Sequence, residues 1–194
     1  VRPATDRSGV ELLERALGYT RGALQPVRPA HLTRPTPCTG WSLDALLDHM
    51  DDALDAFTDG AEGLIAVEPG PRPLGTRVET LQVKACALLG AWSLPTTGPT
   101  VVVGGASLPT AVVVRAAALE ITVHGWDVAR TTGRGPLLPA ALAADLLPVA
   151  HALVDPLDRG TRFAPAYADD AAAPPEARLL GFLGRSVDPR RLSA

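Results

Sequence analysis

Apolar residues along this chain recur with helical rather than strand spacing. In residues 9–24, Leu12, Leu13, Ala16, Leu17, Thr20 and Leu24 line one side of a first helix. The connector that follows, "QPVRPAHLTRPTPCTG", cannot continue it, because each proline lacks an amide donor and crowds the preceding turn; it reads as an ordered loop. Ser42 is a natural N-cap for "LDALLDHMDDALDAF", and Asp44 and Asp48 lie early in that helix, where the positive end of the dipole favours acids. Its buried stripe is Leu43, Leu46, Leu47, Met50, Leu54 and Phe57. The opposite line of Asp44, Asp48, Asp51, Asp55 and Asp59 is expected to be a solvated surface, with His49 at the shoulder between the two.

After a second loop, "VEPGPRPLG", the pattern predicts a third helix over residues 76–92. A short hairpin or loop follows in "PTTGPTVVVGGASLPT", where β-branched runs flank a Gly-Gly pair. A fourth helix spans about residues 108–131 and is stopped by Gly133, Gly135 and Pro136. A fifth over 139–154 and a short last one over 175–184 complete the chain, and "ADDAAAPP" reads as a mobile loop. The expectation is an all-α bundle in one domain over residues 1–194, with extra helices towards the C-terminus.

Composition narrows the partners. With 194 residues, 46% of them apolar, the chain can build one proper core. No apolar run reaches the roughly 18 to 20 residues a membrane helix needs, and the opening "VRPATDRSG" lacks the apolar stretch of a signal peptide, so a cytoplasmic protein with no membrane partner is expected. The net charge of -3 comes with scattered Lys and Arg residues and no basic stripe, which argues against nucleic acid. Cys38 and Cys86 are far apart, without a CxxC, and are expected as small buried hydrophobes. No helix face compels an oligomer, so a monomer or homodimer acting on a small molecule is expected.

Glu120 and His124 break the pattern of the fourth helix. Separated by just over one turn, they fall in the middle of an apolar arc of Val112, Val113, Ala116, Ala117, Ile121, Val123 and Val128, while Arg115, Thr122 and Trp126 lie on the far side. A carboxylate in a core is costly unless it is paired, protonated or bound to a cation. A Glu-His hydrogen bond is one solution and a metal is another. His49 is the best third ligand, since the second and fourth helices of a bundle can face each other across the core. His31, in the proline-rich loop, and His151, in the fifth helix, are reserves. Two histidines and one carboxylate leave a coordination position open on Zn2+, the pattern of a catalytic site, and the same set suits Fe2+.

Three stretches, "TPCTGWSLDALLDHM" at 36–50, "LEITVHGWDVARTTG" at 119–133 and "PPEARLLGFLGRSVDP" at 174–189, resemble in this order the DinB-like metal-binding proteins related to mycothiol-dependent maleylpyruvate isomerase. The P-C-x-G-W loop leading into a His-bearing helix and the E-x-x-x-H-x-W-D run are the specific parts. The resemblance implies a four-helix bundle of up-down-down-up course with a divalent metal at one end of its core, usually zinc, with Fe2+ or Ni2+ as alternatives. It carries the metal ligands onto His49, Glu120 and His124. Asp127 matches the W-D pair and would either orient a ligand through a hydrogen bond or serve the helix end; Trp41 would be a packing anchor.

The resemblance further implies a small thiol cofactor such as mycothiol, held at the metal as the nucleophilic thiolate for S-transfer to, or isomerisation of, a small electrophile. The isomerase has an additional C-terminal domain, whereas this chain ends with "GRSVDPRRLSA", so a thiol transferase, or another metal-dependent tailoring reaction on a small electrophile, is expected ahead of maleylpyruvate isomerisation. Two alternatives stay open. One is a thiol-independent metal enzyme that hydrolyses, eliminates or cyclises a small molecule, and the other is a non-catalytic metal-binding bundle.

Overall fold

The computed structural model describes residues 7–62, 74–93, 98–103, 105–167 and 170–187. These form the helices α1 (Arg7–Leu24), α2 (Leu43–Glu62) and α3 (Leu74–Ser93), the strands β1 (Thr100–Val103) and β2 (Ala106–Pro109), and the helices α4 (Thr110–Thr132), α5 (Ala140–Leu153) and α6 (Pro175–Phe182). The mostly helical expectation is met. The hairpin is present too, with β1 antiparallel to β2 from Thr100↔Pro109 to Val103↔Ala106. Pairing in β2 takes up Leu108 and Pro109, which is why α4 begins later than the periodicity suggests. The proline-rich connector carries one 3-10 turn at Pro29–His31, started by a proline whose missing amide costs nothing there. Gly133 ends α4 in the left-handed conformation, with φ of 68°. Most of the second loop and two residues of "ADDAAAPP" lie outside the described residues.

The stripe read from α1 is buried in full, and so is that of α2 up to Leu54, with Phe57 partly covered. Helix α1 packs chiefly on α4 and α2 on α3, with further contacts of α4 to α2 and α1 to α3. The four long helices thus enclose one core that includes Leu13, Leu46, Leu47, Leu81, Leu88 and Trp92. Helices α5 and α6 pair with each other and α5 leans on α4. No helix among the described residues is long and apolar enough to cross a membrane.

Two faces differ from the expectation. Thr122 and Trp126 of α4 do not face away from the core; both are buried, because α4 is packed by α1, α2 and α5 on several sides and keeps Arg115 as its exposed position. The acidic line of α2 is not a simple solvated surface. Arg77 of α3 meets Asp44 at 2.6 Å and Asp48 at 3.1 Å, and Lys84 meets Asp51 at 2.7 Å and Asp55 at 2.6 Å. This ionic seam joins α2 to α3, two helices whose complementary charges stand far apart in sequence.

Close approach of α1 to α4 depends on Gly125. A Cβ there would overlap the Thr20 hydroxyl, which instead donates to the Ile121 carbonyl at 2.8 Å. Alanine usually stabilises a helix interior relative to glycine, by roughly 1 kcal/mol. Gly125→Ala is expected to reverse that sign and destabilise the protein by about 1–3 kcal/mol through overpacking, as measured by urea unfolding. An unchanged or raised midpoint would contradict the contact.

Candidate metal centre

The P-C-T-G-W loop closes on itself before α2 begins. Gly40 adopts φ of 82°, which side chains rarely tolerate. The Trp41 amide donates to the Cys38 carbonyl at 3.1 Å, and the Thr36 amide and hydroxyl both donate to the Trp41 carbonyl at 3.0 Å. Ser42 then caps α2 as expected, its Oγ accepting from the Ala45 amide at 3.3 Å. This turn sets the Trp41 indole against two imidazoles, edge-on to His49 at 4.8 Å and nearly parallel to His124 at 6.3 Å.

Helices α2 and α4 bring the three residues singled out from the sequence together. His49 Nε2 lies 2.7 Å from Glu120 Oε1, and His124 Nε2 lies 3.1 Å from the same oxygen. Among the described residues this is the one His/Cys/Asp/Glu group compact enough to hold a metal ion, its ligand atoms all within 4.8 Å of one another. The Glu120 side chain keeps 35% of its surface accessible because it faces a cavity, whereas His124 is buried.

Behind His124 lies a second layer of charge. Its Nδ1 is 3.0 Å from Oδ2 of Asp127, which is wholly buried. Arg185 grips that carboxylate with both edges of its fork, Nε to Oδ1 at 2.9 Å and Nη2 to Oδ2 at 2.8 Å. The Asp127 carboxylate thus bonds the His124 ring and the Arg185 fork together. Sequence reasoning missed Arg185. The signal was the Gly-Arg pair after the last helix: Gly184 takes φ of 74°, its amide donates to Gly181 and the Arg185 amide to Leu180, and this turn aims the arginine back at α4.

Burial alone would raise the carboxyls and lower the imidazole, but the partners reverse both effects. Burial pushes Asp127 up, and the Arg185 charge with the His124 and Arg185 hydrogen bonds holds it below the usual carboxylate range. Glu120 likewise sits well below that range, because hydrogen bonds from His124 and His49 outweigh its desolvation. For His124, hydrogen bonds to Asp127 and Glu120 overcome burial and lift the pKa to about 9.

With both ring nitrogens against carboxylate oxygens, hydrogen bonding alone calls for the His124 imidazolium. The same array fits a divalent cation. Asp127 fixes the Nδ1 proton, both Nε2 atoms converge on a carboxylate oxygen, and the donors suit zinc, around which tetrahedral ligand atoms sit roughly 3.4 Å apart.

His31 and His151 stay out of the cluster: His31 is on the connector, and His151 packs on Phe182 at 4.0 Å between ring centroids. The cysteines correct the expectation of buried hydrophobes. Cys86 is exposed on α3 and Cys38 half-buried, because the helix and loop turn them outward from the core.

Two outcomes follow from this layering. Arg185→Ala is expected to destabilise the fold by about 3–5 kcal/mol, read by denaturant unfolding, since it strands a buried carboxylate; Asp127→Asn should weaken metal binding about 10–100-fold in a calorimetric titration. Metal uptake also displaces the His124 proton, so apparent affinity should climb with pH, by about tenfold per unit, and level off near the His124 value of about 9. A pH-independent affinity between 7 and 9 would contradict the shared proton.

Two uncharacterized proteins of Mycobacterium tuberculosis, from strains CDC 1551 / Oshkosh and H37Rv, are each 30% identical over 187 residues, covering 90% of this chain and 96% of the relative. No solved structure matches the chain. The family model of the mycothiol maleylpyruvate isomerase N-terminal domain matches residues 13–129, a stretch that holds His49, Glu120, His124 and Asp127 and leaves Arg185 outside it. With that match over more than half its length, the chain belongs to the mycothiol maleylpyruvate isomerase N-terminal domain family.

Proposed function

We propose that the protein is a divalent-metal enzyme, with zinc the ion its donors suit best and Fe2+ or Ni2+ as alternatives, that binds a small thiol such as mycothiol and transfers it to, or uses it to isomerise, a small electrophile. The observation that carries this reading is the convergence of His49 Nε2, Glu120 Oε1 and His124 Nε2 at the end of a cavity, in a chain whose family is named for mycothiol chemistry. Three protein donors leave a zinc ion one position for an outside ligand, whereas structural zinc sites are normally closed by four. The same reading takes the fold as a DinB-like four-helix bundle of up-down-down-up course in one domain, with small molecules and not nucleic acid as partners.

When bound, the cation supplies a Lewis-acid centre that favours the thiolate of a ligand thiol near neutral pH. The chain's own residues prepare that centre. Glu120 offsets cationic charge, and Asp127 accepts a hydrogen bond from His124 Nδ1–H, so that Nε2 presents its lone pair to the site. Trp41 stands against both imidazoles and restricts their rotation. Burial, with the Asp127 charge, holds the Cys38 thiol above its ordinary value despite Arg185.

Untagged protein is expected to carry about one zinc per chain by elemental mass spectrometry. His49→Ala and His124→Ala should abolish it while the helical circular dichroism spectrum persists, and Glu120→Ala should weaken affinity less abruptly. Unchanged metal content in His124→Ala would sink the ligand assignment. Loaded protein should then conjugate or isomerise a small electrophile only when mycothiol is present; equal turnover without any thiol would favour a thiol-independent metal enzyme instead.

A further inference from the structure

A cavity of about 230 Å³ lies between α1, α2 and α3 and ends on Glu120 and His124 of α4. Its walls are Leu17 and Leu24, Met50 and Leu54, and Leu81 and Leu89. Its mouth is marked by the exposed Glu14, Gly18, Arg21 and Cys86. Among the described residues that line it, cations are confined to Arg21 at the mouth, which shares that rim with Glu14, and His124, which is already committed to Glu120 and Asp127. A dicarboxylate entering this space would leave at least one of its two carboxylates against side-chain methyl groups with no paired charge, even with the other at a cation held by Glu120 and His124. A hydrocarbon would lose only unfavourable contact with water.

We propose that this cavity seats the hydrocarbon part of the substrate, which is therefore an uncharged, largely apolar molecule with its polar, reactive end at Glu120 and His124. Scaling from the benzene that fills an apolar cavity of about 150 Å³, the space admits about nine carbon atoms. The inference rests on the metal-enzyme reading for what happens at that end, and on the walls for the substrate's class. It separates this chain from the substrate in its family's name, since maleylpyruvate is a dicarboxylate and the walls offer no paired cations to receive it.

Gly18 makes the claim testable. Nothing lies within 4 Å of where its Cβ would be, so a large side chain enters open space at the mouth, and replacing a helical glycine does not cost helix propensity. Isothermal titrations would use 1-octanol and maleate as probes of the full chain, stripped of metal or loaded with zinc, in wild type, Gly18→Phe, Ala85→Leu and His124→Ala. Octanol is expected to bind wild type and maleate not to, with octanol affinity falling at least about tenfold in Gly18→Phe. Ala85→Leu narrows the cavity from α3 and carries the comparison should the first variant misfold by circular dichroism. His124→Ala should lose zinc and also weaken octanol, whose hydroxyl end faces that residue. Preference for maleate, or octanol affinity unchanged in both narrowed variants, would overturn the substrate class. Zinc uptake without octanol binding overturns this inference alone, whereas octanol binding by a chain that takes up no zinc upholds the cavity's chemistry and overturns the metal reading.

Discussion

A carboxylate with no exposure to water cannot stand alone, and Asp127 holds its place only because Arg185 and His124 both meet it. That requirement organises the second half of the molecule. Arg185 comes from the turn after α6, so the helix pair α5 and α6 is fastened to α4 by a bidentate bond between groups 58 residues apart. The turn itself needs Gly184, where a Cβ would also crowd the backbone of Ala164. The family-matched region ends before this arginine, which nevertheless holds the Asp127 carboxylate that lies within it.

His124 is the hinge between two environments. Its Nδ1 belongs to the buried ionic layer, and its Nε2 looks towards Glu120, His49 and an apolar cavity. In such surroundings charges act on one another more strongly than in water, which is why partners outweigh desolvation at Glu120, His124 and Asp127 alike. The ions between α2 and α3 obey a different balance. Asp44, Asp48 and Asp55 stand about half exposed while Arg77, Lys84 and Asp51 are largely covered, so the seam lets two covered cations reach acids that water also solvates and fixes how α2 lies on α3.

Much of this was legible in residue order. The stripes of α1 and α2, the Ser42 cap, the hairpin and the Gly133 stop all rest on local rules: side-chain period, capping and backbone conformation act within a few residues. Glu120 and His124 were legible for the same reason, as two polar groups one turn apart on an apolar arc. His49 needed an assumption about which helices face each other, and the meeting of α2 with α4 is what turns that assumption into a 2.7 Å contact.

The acidic line of α2, the far side of α4, the cysteines and Arg185 were misread or passed over because a single helix carries no information about what packs against it. Arg77 and Lys84 become partners of α2 only when α3 lies alongside, and Thr122 and Trp126 are buried only because α4 is covered on several sides. By itself the amino-acid sequence determined where helices start and stop to within a few residues and the apolar stripes of α1 and α2, since those follow from short-range geometry. Which charges neutralise which, and whether a cavity of about 230 Å³ ends on the two polar residues of α4, were decided by tertiary structure. Electrostatic pairing and packing depend on distances through space that residue order does not contain.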